Sequence, residues 1–165
     1  MRGPREEFTG LTTKGLSIIP FGVNIIEKKP ASCLFYRQQH SNFTATTSLN
    51  FQPKAENELA GLVCYQSENS NYVFGITKKG KNTCIVLSET RNGKTTIVAS
   101  KKIKLSGPIS LQVKAESDLY TFSYSLKKGK FYSIGGAVSG DILSTNVAGG
   151  FTGSLIGLYS TSANN

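Results

Sequence analysis

Asn42-Phe43-Thr44-Ala45-Thr46-Thr47-Ser48-Leu49-Asn50-Phe51 is the stretch that decides the fold. Phe43, Ala45, Thr47, Leu49 and Phe51 share one face of an extended chain, and Asn42, Thr44, Thr46, Ser48 and Asn50 share the other. Successive side chains of a strand point to opposite sides, so this alternation buries one face and wets the other. Outward from it, extended segments recur between turn signals about every 8 to 12 residues, the spacing of a sandwich or barrel.

The segments are readable one by one. Leu59 to Gln66 is a nearly continuous apolar run, as expected of a central strand. Asn71 to Thr77 turns through Lys78-Lys79-Gly80-Lys81-Asn82 into Thr83 to Ser88. Arg91-Asn92-Gly93-Lys94 predicts a hairpin, because Asn-Gly accepts the positive φ values of a type I′ turn. Thr95 to Lys101, Ile109 to Ala115 and Leu119 to Leu126 follow, with Tyr120, Phe122 and Tyr124 on one face. Phe131 to Ile134 comes next, then a loop rich in glycine and serine, then Ser154 to Ser160. No segment of helical length has apolar spacing of three and four; Ala55-Glu56-Asn57-Glu58 after Pro53 predicts at most a short helical turn. The expectation is a single all-β domain over residues 1–165, a two-layer antiparallel β-sandwich.

Composition excludes several functions. Cys33, Cys64 and Cys84 lack the spacing of a zinc ribbon or a redox pair and sit among apolar neighbours, so they read as buried thiols. The net charge of +9 lies largely in clusters such as Lys78-Lys79-Gly80-Lys81, Lys101-Lys102-Ile103-Lys104 and Lys127-Lys128-Gly129-Lys130. Lysines at hairpin tips and sheet edges resist edge-to-edge pairing, whereas a nucleic-acid groove gathers arginines and aromatics on one face. No nucleic-acid partner is expected. Nor is a membrane, since no apolar run approaches the roughly 20 residues that span a bilayer. Met1 to Glu7 lacks the apolar centre of a secretory signal, which leaves cytoplasm and periplasm both open.

The sequence is poor in catalytic constellations. His40 is the single histidine, and no Gly-x-Ser-x-Gly elbow accompanies it. Glycoside hydrolysis needs two carboxylates across the scissile bond. The two aspartates, Asp118 and Asp141, fall at expected turns, as do Glu56, Glu58, Glu68 and Glu116, where a carboxylate is ordinarily solvated. No catalytic residue, cofactor or metal site is expected. The glycines concentrate around Gly135-Gly136, Gly140 and Gly149-Gly150-Phe151-Thr152-Gly153. Phe151 reads either as a ring packed inward at a bulged strand entry or as a ring held out toward a partner or a sugar.

Arg37-Gln38-Gln39-His40, Asn42-Phe43-Thr44-Ala45, Leu49-Asn50-Phe51-Gln52-Pro53 and Glu56-Asn57-Glu58-Leu59-Ala60-Gly61-Leu62 resemble a known family. So do Tyr120-Thr121-Phe122-Ser123-Tyr124-Ser125 and Gly150-Phe151-Thr152-Gly153-Ser154-Leu155-Ile156-Gly157-Leu158-Tyr159. The pattern is similar to the C-terminal concanavalin-like sandwich, a jelly roll, of family 43 glycoside hydrolases, the β-xylosidases and α-L-arabinofuranosidases. The resemblance implies a noncatalytic module, inactive alone, that packs on a five-bladed catalytic β-propeller of the same polypeptide. It implies that Phe151, with Thr152, closes that domain's pocket around xylo- or arabino-oligosaccharides, and that Arg37, Gln39 and His40 contact the catalytic domain. Against the family's pattern, the chain is expected to be truncated at both ends and to lack the N-terminal propeller. The alternative is an independent carbohydrate-binding module, which would stack sugar faces on exposed rings.

Overall fold

The computed structural model describes residues 7–127, 129–148 and 153–163. Among these, the chain runs through β1 (Thr9–Thr12), β2 (Gly15–Ile18), β3 (Ser32–Arg37), β4 (Phe43–Leu49), β5 (Leu59–Ser67) and β6 (Ser70–Lys79). It continues with β7 (Asn82–Arg91), β8 (Lys94–Lys102), β9 (Ile109–Glu116), β10 (Leu119–Lys127) and β11 (Lys130–Ser139). A 3-10 turn (Asp141–Leu143) and a single helical turn, α1 (Thr145–Ala148), precede β12 (Leu155–Thr161). A six-stranded sheet in the order β3-β12-β5-β6-β7-β8 lies against a four-stranded sheet, β11-β10-β9-β4, and β1-β2 is a separate hairpin. All strand pairings are antiparallel. This is the expected two-layer antiparallel β-sandwich.

The core forms where the inward faces of the two sheets meet. Leu62, Cys64, Tyr72, Phe74, Ile76, Ile85 and Leu87 come from the larger sheet. Ile109, Leu111, Val113, Tyr120, Phe122 and Tyr124 come from the smaller. Phe122 is fully buried, its ring 5.7 Å from that of Tyr72 and 5.4 Å from that of Phe74. Both contacts are tilted, the geometry favoured by ring quadrupoles. The continuous apolar run of β5 is explained by its place inside the larger sheet, with both faces covered. Its outer-face residue Val63 joins Ile25, Val73 and Tyr159 in a second, smaller cluster, with Phe35 and Tyr65 packed against it.

The Asn-Gly hairpin is present as read: Arg91 pairs with Lys94, and Asn92 and Gly93 take φ of 52° and 76°. The first three strands depart from the expectation, since none was foreseen. β11 also differs, running on to Ser139 where a glycine-rich loop was expected. Gly135 and Gly136, at φ of 75° and 69°, form a bulge inside the strand and shift its register with β10 between Thr121 and Phe122. A Cβ on Gly135 would stand 3.2 Å from both Ala99 and Leu87 of the opposite sheet, so the bulge also lets the two edges close. Glu56 and Asn57 form a turn, and the helical turn lies instead at Thr145–Ala148.

Phe122→Ala should destabilise the chain by about 3–5 kcal/mol, because it empties the space of a fully buried ring between the sheets. Chemical denaturation followed by tyrosine fluorescence measures this, and a loss well under 1 kcal/mol would mean that the sheets do not depend on this ring.

Candidate functional site

Arg37, Gln39 and His40 lie at one end of the sandwich, beside the start of β12. β3 and β12 pair antiparallel with Arg37 opposite Leu155, and the Gln38 N–H donates to the Ser154 carbonyl at 2.9 Å. The Arg37–His40 segment and the residues that follow Thr152 are therefore direct neighbours despite their separation in sequence. Arg37, Gln39 and His40 are exposed there. Phe151 and Thr152 lie outside the described residues.

Gln38, which the sequence reading passed over, holds this junction together. Its Oε1 accepts from the Tyr120 hydroxyl at 2.9 Å and its Nε2 donates to the His40 carbonyl at 3.0 Å. A carbonyl only accepts, so this partner fixes which end of the amide faces His40 and leaves the oxygen for Tyr120. Burial pushes the Tyr120 phenol up to about 12, and its hydrogen bond with Gln38 offsets part of that rise. The signal for Gln38 was its place in the alternation: with Arg37 facing out at a strand end, the next side chain turns inward.

A second set of bonds braces the turn at Asp141–Leu143 against the start of β12. Ser154 Oγ donates to the Leu143 carbonyl at 2.7 Å, and Ile142 and Leu143 are anchored in the core. Asp141, at the start of that turn, receives Arg91 in a two-pronged pair, Nη1 to Oδ2 at 3.1 Å and Nη2 to Oδ1 at 2.9 Å. Arg91 Nε also donates to Glu89 at 2.7 Å, and the single proton of the Tyr72 hydroxyl is shared between the Ser139 carbonyl at 2.8 Å and Glu89 at 3.1 Å. The expectation of a solvated turn carboxylate at Asp141 is thus corrected. Although partly exposed, the carboxylate is engaged by a guanidinium whose planar fork matches it. The Arg91 guanidinium holds the Asp141 carboxyl below its usual range, with bonds from Ser139 and the Ile142 N–H adding to the effect. A depressed carboxyl stays ionised and is a poor proton donor, and the role its geometry supports is to brace the turn.

The outer face of the larger sheet bears a groove of about 420 Å³ floored by Asn71, Val73, Ser88, Thr90, Thr95 and Ile97. Tyr159 is the aromatic residue that lines it, but its ring is buried and its hydroxyl accepts from the Ile25 N–H at 3.0 Å. Among the described residues the groove thus lacks a free ring for a sugar to stack on. All three cysteines are free thiols.

Comparison with known proteins assigns the family. The family described as "Beta xylosidase C-terminal Concanavalin A-like domain" matches residues 2–165. The chain belongs to this family. The non-reducing end α-L-arabinofuranosidase BoGH43B of Bacteroides ovatus is 31% identical over 163 residues, covering 98% of this chain and 30% of that relative. A xylan 1,3-β-xylosidase from a Vibrio species is 28% identical over 130 residues, covering 74% of this chain and 24% of that relative. A crystal structure of a GH43_12 protein retrieved from the capybara gut metagenome superposes with a TM-score of 0.89 at 43% identity, over 98% of this chain and 31% of that one. This concanavalin A-like sandwich therefore spans less than a third of the length of the glycoside hydrolase family 43 proteins it resembles.

The Arg91–Asp141 pair gives a pH signature. With its pKa depressed in the folded state, Asp141 contributes stability that is fully present above the unfolded carboxyl's pKa. That contribution is lost as pH falls through the lower folded value, so the window opens at roughly pH 4 and extends downward. The difference in unfolding free energy between wild type and Asp141→Asn should be largest near neutrality and shrink across that window. A gap independent of pH would show that the charge is not what braces the turn.

Proposed function

We propose that this chain is the noncatalytic accessory sandwich of a family 43 glycosidase acting on xylo- or arabino-oligosaccharides. Its partner is a catalytic propeller in the same polypeptide. Phe151 and Thr152 wall one side of the propeller's pocket, while Arg37, Gln39 and His40 contact the propeller nearby. The observation that supports this reading is the junction of Gln38 with Ser154, because it sets Ser154, three residues after Phe151 in the sequence, beside the strand end that bears the expected contact residues. Ser154 is tied to Leu143, and Asp141 to Arg91, so the described residues on either side of Phe151 in the sequence are held in place before any binding. A phenylalanine face suits the apolar face of a sugar ring, and an apolar wall excludes water and so strengthens the electrostatics of another domain's carboxylates. Relatives named as xylosidases and arabinofuranosidases, each more than three times this chain's length, support the same assignment.

The 165-residue chain alone should not hydrolyse nitrophenyl β-xyloside or nitrophenyl α-L-arabinofuranoside. In the polypeptide that unites it with its catalytic domain, Phe151→Ala should lower kcat/KM on xylobiose or an arabino-oligosaccharide by on the order of tenfold, equivalent to about 1.4 kcal/mol of transition-state stabilisation. An unchanged kcat/KM would remove Phe151 from the pocket. Robust turnover by the isolated chain, abolished by replacing one of its own carboxylates, would overturn the assignment as a whole.

A further inference from the structure

The two long sides of the sandwich are built differently. On one side the edge strands are β8 and β11, which carry Lys94, Lys101, Lys102 and Lys130. On the other side the edges are β3 and β4, in which Arg37 is the only charged residue. An edge strand offers a row of unpaired N–H and C=O groups, and lysine is among the commonest devices that keep such a row from pairing. β8 and β11 have that protection. β3 and β4 do not.

The same side is also open. The inward residues of β9, namely Ile109, Leu111 and Val113, are fully buried, whereas those of the neighbouring strand β4 (Phe43, Ala45, Thr47 and Leu49) are only half-buried. Between β3 and β4 the sheets part to leave a mainly apolar groove of about 410 Å³, lined by Leu34, Tyr36, Ala45, Thr47, Ile156 and Leu158. Tyr36, at its rim, is 66% exposed. A large ring left in water beside an uncharged edge and an apolar seam is the composition of an interface centre, where aromatics are enriched and charges depleted.

We propose that the β3–β4 side of the sandwich is the surface on which the catalytic domain of the same polypeptide docks, with Tyr36 at the centre of the contact. Two observations select that occupant. The groove is continuous along β3 with the junction of Arg37, Gln38 and Ser154, so a body seated on it also meets the start of β12. The relatives' remaining length, about 70% of BoGH43B, is large enough to cover an entire side of this domain. The lysine-bearing β8–β11 side then faces solvent. This inference rests on the proposed function for the existence of the partner, but it names a face that the pocket-closing role does not require.

Hydroxyl-radical footprinting with peptide mass spectrometry tests it on the polypeptide that carries both domains. Tyr36 and Tyr132, the latter 41% exposed on β11, are the two exposed tyrosines among the described residues, and they report on opposite sides. In the two-domain polypeptide, oxidation of Tyr36 should fall several-fold below that of Tyr132, at every protein concentration. Tyr36 oxidised as fast as Tyr132, or faster, overturns the proposal. Protection of Tyr36 that appears only as concentration rises also overturns it, because a second copy then occupies the edge. An exposed Tyr36 together with a damaging Phe151→Ala leaves the pocket role standing with a different docking face. A protected Tyr36 with a harmless Phe151→Ala leaves the face standing without the pocket role.

Discussion

The placement of Phe122 between Tyr72 and Phe74 is the constraint from which the remaining geometry follows. Protein interiors are close-packed, so interlocking side chains set how two facing sheets register. A ring seated against two others from the opposite sheet fixes both their relative height and their lateral offset. With that offset set, Tyr120, two residues earlier on the same face of β10, is brought within hydrogen-bonding reach of Gln38 beyond the end of β3. The site end of the molecule is thus positioned by the core and not by its own loops.

Two kinds of interaction then divide the work at that end. Apolar packing anchors Ile142 and Leu143, which costs the turn most of its freedom. The hydrogen bonds and ion pairs of Arg91, Asp141, Ser154 and Gln38 supply direction, telling the chain where to emerge. Ion pairs of this partly exposed kind add little net stability. Their value here lies in orientation, since Arg91 bridges the β7–β8 hairpin to the turn before β12 through two parallel bonds.

Strands were legible where one face is wet and the other dry, as in Phe43–Leu49, and where a turn needed a particular residue, as at Asn92-Gly93. β3 escaped notice because Cys33 and Phe35 pack beneath the chain's early loop while Leu34 faces the seam between the sheets, which erases the alternation. β1 and β2 were missed for the opposite reason: both faces of that hairpin are largely exposed, with Leu11 at 88%, so no buried face marks its period. Gly135-Gly136 read as loop because a bulge and a loop draw on the same residue. At the site, Arg37, Gln39 and His40 could be named from resemblance, but Gln38 and Tyr36 depend on which strand lies beside which. That pairing is a long-range fact that no local pattern carries.

The state of the three thiols has a practical bearing. Burial raises Cys33 to about 11 and Cys64 to about 12, and Cys84 is sequestered in the core, so at neutral pH the two raised thiols hold almost no thiolate and the third is shielded. Since the thiolate is the attacking species, these three thiols should react slowly with maleimides and iodoacetamides. A single cysteine installed on an exposed strand edge would therefore take a fluorophore or spin label selectively, with no need to strip the native sulfur groups from the core.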